Sequence, residues 1–184
     1  MRVLPSPDEA LSRALGWLRT SADGAFDGAA HRMQFPRWAG FVVGPEEQVS
    51  DLFARAVLAD VLLDLADALA DDTPSAATHW RGVAAAEAHR LAAARLPDRP
   101  GGRSYLPALP QLPPDLDSLA AAMRLFARAA PQHLALAAEP VAIAFAGAGP
   151  EGGCRTWLIA DDDPPAAKRT MHDAVQRHWG DAID

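Results

Sequence analysis

The stretch Leu112-Pro113-Pro114-Asp115-Leu116-Asp117-Ser118 opens an alanine-rich segment, and its reading decides the fold. Paired prolines fix φ and withhold backbone N–H groups, so they end what precedes them and start a helix behind them. Two carboxylates then fall in the first helical turn, where they complement the partial positive charge of the unpaired N–H groups. Capping alone accounts for Asp115 and Asp117. A ligand-facing role for the pair stays open beside it.

Outward from this point the same punctuation recurs. Pro7-Asp8 opens a helix over 8–20 with Leu11, Ala14, Leu15 and Leu18 at helical spacing. A long helix is predicted over 47–70, its apolar stripe formed by Leu52, Phe53, Ala56, Ala59, Leu63 and Ala66. Further helices are expected from Pro74 to Arg95, from Pro114 to Ala130, from Pro131 to Phe145 and from Pro164-Pro165 to Trp179. Residues 29–46 show aromatics without a lasting period and read as an ordered loop, and 154–159 read as extended. The expectation is one all-α domain over 1–184, built of antiparallel helical hairpins.

Composition supports that class. The chain has 184 residues with 24 acidic against 17 basic side chains, a net charge of −7 and no Lys/Arg block with interleaved aromatics, which disfavours nucleic acid. Alanine dominates the apolar content while tyrosine occurs once, a balance that favours helices over sheets. Cys154 is the single cysteine, so neither an intrachain disulfide nor a cysteine metal cluster can form, and a reducing cytoplasm fits. No signal-like or membrane-spanning apolar run is evident.

Three junctions share a pattern in which glycine precedes an aromatic after a helix: Asp23-Gly24-Ala25-Phe26, Gly101-Gly102-Arg103-Ser104-Tyr105 and Gly152-Gly153-Cys154-Arg155-Thr156-Trp157. A left-handed turn there would let the aromatic fold back over neighbouring helix ends. With Pro113-Pro114-Asp115-Leu116-Asp117, the last two of these turns, Gly101-Gly102-x-Ser104-Tyr105 and Gly153-x-x-Thr156-Trp157-Leu158, resemble the prenyltransferase and squalene-cyclase superfamily of α/α toroids over roughly residues 45–184. The resemblance implies part of an α/α toroid and protonation-initiated (class II) isoprenoid cyclisation. Asp117 would be the proton donor and Asp115 its neighbour, with Tyr105, Trp157 and Ser118 on the substrate side. It implies no cofactor, and a hydrophobic isoprenoid-like molecule or peptide as partner. Ser118 stands where the family motif has a further aspartate, and the chain holds material for only part of a ring. Self-association, or a chain continuing past Asp184, is therefore expected. A non-catalytic helical binding module on the same scaffold is the alternative function.

Other constellations are weaker. Asp60, Asp64, Asp67 and Asp71 share one helical face; a solvated face is favoured over a magnesium-diphosphate site, which needs a second acidic helix opposite. The six histidines form no HxxxH or HExxH pattern, so no metal site is expected. Nucleophile-elbow and phosphate-cradle motifs are missing. Of the aromatics, most are expected in the core, with Tyr105 and Trp157 the best candidates for a pocket.

Overall fold

The computed structural model describes residues 6–23, 26, 29–41, 46–50, 52–95, 109, 111–149, 152–154, 156–160 and 163–179. Among these lie six α-helices, in keeping with the all-α expectation. They are α1 (Pro7–Asp23), α2 (Leu52–Ala68), α3 (Pro74–Ala93), α4 (Leu116–Ala129), α5 (Ala138–Ala146) and α6 (Pro165–Trp179). No helix among the described residues is long and apolar enough to cross a membrane.

The centre is the packing of α2, α3 and α4. Small residues let the three axes approach: Ala56 and Ala59 of α2, Ala84 and Ala88 of α3 and Ala122 of α4 are buried around Leu63, Leu91, Leu125 and Phe126. α2 and α3 form an antiparallel hairpin tied by ion pairs at both ends. Arg81 meets Asp67 at 2.9 Å at the open surface, and Arg55 faces Glu87 at 3.6 Å where both side chains are almost fully buried. α4 runs in the same sense as α2, since Arg124 reaches Asp60 while Arg128, one turn on, reaches as far as Asp67.

Three sequence expectations need correction. Residues 29–46 are not merely irregular, and the long helix does not begin at 47. Instead β1 (His31–Gln34) pairs antiparallel with β2 (Glu47–Ser50), and α2 starts only at Leu52. The alternation of β2 is the reason: Gln48 and Ser50 turn inward while Glu47 and Val49 face out, a period of two that a helix cannot satisfy. The segment after Pro131 also begins as a 3-10 helix, Pro131–Ala137, before widening into α5. α6 is held against the N-terminal hairpin through Ala174, which packs with Phe35, Phe41, Leu109 and Leu112. Gly40 adopts φ +96°, and the Arg177 guanidinium lies where its Cβ would stand. Only glycine suits that turn.

The first glycine–aromatic junction works as expected in one respect and differs in another. Among the described residues, Phe26 itself takes the left-handed conformation, φ 58°, and its N–H bonds the Ser21 carbonyl at 2.6 Å, closing the end of α1. A left-handed non-glycine residue costs roughly 1–2 kcal/mol. Full burial of the ring among Leu62 and Ala66 of α2 and Ala77 and Trp80 of α3 offsets it. Phe26→Ala keeps the strain and loses the ring, so we expect a loss of about 3–5 kcal/mol in urea unfolding. A loss below about 1 kcal/mol would contradict this account of the junction.

Candidate functional site

The diproline shapes the start of α4 in a way its sequence foreshadows. Because proline fixes its own φ and donates nothing, the chain leaves a turn closed by the Leu112 N–H on the Leu109 carbonyl and passes through the prolines to an extended Asp115 at the mouth of the helix. Asp115 has φ −124° and ψ 151°. That extended backbone pairs with the chain after the last glycine turn: the Leu116 N–H donates to the Thr156 carbonyl at 2.7 Å, and the Leu158 N–H to the Pro114 carbonyl at 2.8 Å. Leu158 is thereby seated against Leu119, Ala137 and Ala144.

Asp115 and Asp117 then part company. Asp115 is buried, and its Oδ1 accepts the Ser118 N–H at 2.7 Å as the helix N-cap. Asp117, two residues on, is exposed. The adjacency that suggested one acid pair is broken by helical geometry, which turns successive side chains by about 100°. Ser118 points inward; it is buried and its Oγ has no hydrogen-bond partner among the described residues. Trp157 is half-buried beside the Asp115 bridge, whereas Tyr105 and the Gly101-Gly102 turn lie outside the described residues. Cys154 is exposed.

Asp117 lines a groove of about 470 Å³ between α2 and α4, opposite Asp60 and Asp64. Its floor is apolar, made by Phe53, Ala56, Val57, Val61, Ala120 and Ala121, and Arg124 crosses between the walls. Two acidic features that lie far apart in sequence therefore share one surface.

The acidic row is solvent-facing at Asp64, Asp67 and Asp71, as expected, but Asp60 is buried, and Asp60, Asp64 and Asp67 are paired with arginines. Arg124 meets Asp60 at 2.6 Å, and Arg128 reaches Asp60 at 2.6 Å, Asp64 at 2.8 Å and Asp67 at 3.2 Å. One guanidinium thus bonds three carboxylates spread over about two turns of α2, a use of its fork that an ammonium could not match. Asp60 foremost, then Asp64, raises the Arg128 pKa above its ordinary value despite partial burial. Hydrogen bonding from Arg81, with a smaller part from Arg128, holds the exposed Asp67 carboxyl below its ordinary 3.8. The arginines were the functional residues missed in the sequence. Their spacing of four matches that of Asp60 and Asp64, a signal readable only if α2 and α4 are taken as neighbours.

A second missed contact joins His89 of α3 to His133, whose ring nitrogens lie 2.8 Å apart. Forty-four residues separate them, so no local motif announces the pair.

No family model, curated protein or solved structure matches the chain.

Two outcomes follow from this geometry. Arg128→Ala leaves the buried Asp60 with one cationic partner, and we expect about 1–3 kcal/mol lost by denaturant titration, more than for Arg124→Ala at the exposed end. Because the Asp67 carboxyl is lowered, the stability it contributes is complete above the ordinary carboxylate range and disappears as pH falls through the lowered value. Melting temperature measured on acid titration should therefore drop below about pH 4, and Arg81→Ala should make that drop shallower.

Proposed function

We propose that this chain is a non-catalytic helical binding module whose working surface is the α2–α4 groove, and that its partner is an apolar helical segment flanked by Lys or Arg. The observation that carries the reading is the groove itself. Its floor includes Val57 and Val61, which stand 42% and 44% exposed on a helix that is otherwise well covered on its inner face. A helix-in-groove partner would cover such a strip with residues at i, i+3 and i+4. Three carboxylates, Asp60, Asp64 and Asp117, line the walls; Arg124 pairs with Asp60, and Arg128 with Asp60 and Asp64, so among the described residues the negative charge left at the groove is that of Asp117. That charge has the sign of the whole chain and favours a basic rim on the partner.

The cyclase reading draws support from one fact, that Asp117 overlooks an apolar floor. Proton delivery to an alkene requires a strongly acidic donor shielded from water. Asp117 is exposed at the wall of an open groove, and Asp115 spends its carboxylate on the cap. Binding is the use these positions favour. The α/α toroid belongs with the cyclase reading as its scaffold.

The test uses a synthetic amphipathic peptide with a leucine face and lysine flanks, titrated by fluorescence anisotropy. We expect saturable binding that weakens with salt, at least tenfold weaker binding in Val57→Lys/Val61→Lys, and none for the peptide with glutamate flanks. Occupation by a second copy, seen as a dimer in sedimentation that Val61→Lys dissolves, would overturn the heterologous partner. Cyclised products from linear prenyl substrates, lost in Asp117→Asn, would overturn the binding module in favour of the enzyme.

A further inference from the structure

We infer that His89 and His133 form a two-imidazole site for a late first-row divalent cation such as Ni²⁺ or Zn²⁺. The Nδ1 of His89 and the Nε2 of His133 lie 2.8 Å apart with the ring planes at 89°. Two nitrogens bound to one such ion at about 2.0–2.1 Å stand roughly 3 Å apart, so the spacing is already that of a chelate, and a turn of both rings that brings their nitrogen lone pairs to a common point beside the N···N line completes it. The proton shared between the facing nitrogens moves to the far nitrogen of its own ring, and both imidazoles remain neutral ligands.

The surroundings suit this use. His89 is exposed on α3, giving the ion a path and leaving its remaining positions to water. On the other side the Phe126 ring, 5.6 Å from His133, limits the imidazole's swing and anchors it to the helical core. Among the described residues no group of three or more metal-ligating side chains gathers anywhere. The site is therefore a two-point clamp between α3 and the 3-10 helix, not a closed cage. Imidazole donors without carboxylates select nickel, copper and zinc over magnesium and calcium. The neighbouring Arg95–Glu139 pair, at 2.9 Å, ties the end of α3 to α5, so an ion at the histidines would tighten a junction already bridged by charge.

The probe is NiCl₂ alone, added to the full chain, with melting temperature and isothermal titration as readouts. At a hundredfold excess over its dissociation constant the ion should raise the melting temperature by about 5–10 °C. Titration should show one ion per chain, and MgCl₂ should do neither. His89→Gln replaces an exposed ring, so it should fold normally and lose both responses; His79→Gln, on the same helix, should keep them. A nickel response that survives in His89→Gln, or a wild-type chain that binds no nickel, would overturn the assignment.

Discussion

The guanidinium of Arg128 holds three aspartates of α2 at once, and the relation between α2 and α4 depends on that contact. Apolar burial brings the helices together without saying how far one should slide along the other. Alanine surfaces are smooth, and neighbouring registers bury similar area. The charged fork adds the missing condition. Its bonds to Asp60, Asp64 and Asp67 are made together only when Arg128 lies beside that two-turn row, and Arg124 then reaches Asp60 from the other side. Exposed pairs of this kind contribute little energy each, but Asp60 is largely buried and an unmatched charge there is costly. The network therefore acts mostly against wrong registers.

The groove is a consequence of the same register. Where the arginines close α2 against α4 the seam is filled; nearer the helix starts, Ala120 and Ala121 face Val57 and Phe53, and small side chains leave a trough. The start of α4 is held independently. Backbone at Pro114 and Leu116 bonds to the Thr156–Leu158 segment, and the Asp115 cap finishes the turn. Clamped at one end by backbone and along its length by charge, α4 presents Asp117 in a defined place. A surface set so firmly suits recognition, where preordered groups lose little entropy on binding.

Several structural features could be read from residues alone. Proline marked the starts of α3, α4 and α6 and the ends of α3 and α4 to within a few residues, because it acts through local backbone geometry that needs no tertiary partner. The cap role open to Asp115 was equally local. The β1–β2 pair escaped such reading because a four-residue strand has no stability by itself; its partner lies 13 to 19 residues away, and pairing decides it. Phe26 likewise shows why a glycine-rich turn is an incomplete clue. The burial of a ring offsets the strain of a left-handed position held by a residue other than glycine.

What this sequence determined by itself is a helical chain, its punctuation, and the presence of an acidic stripe on one long helix. Those properties follow from dihedral preference and from a period of 3.6, which act within a turn or two. Tertiary structure alone decided which charges meet: that the stripe is matched by Arg124 and Arg128, that Asp117 joins it across a groove, and that His89 touches His133. Contacts between residues tens of positions apart depend on the angle and register of packed helices, and those come from the summed fit of many side chains, which no local pattern encodes.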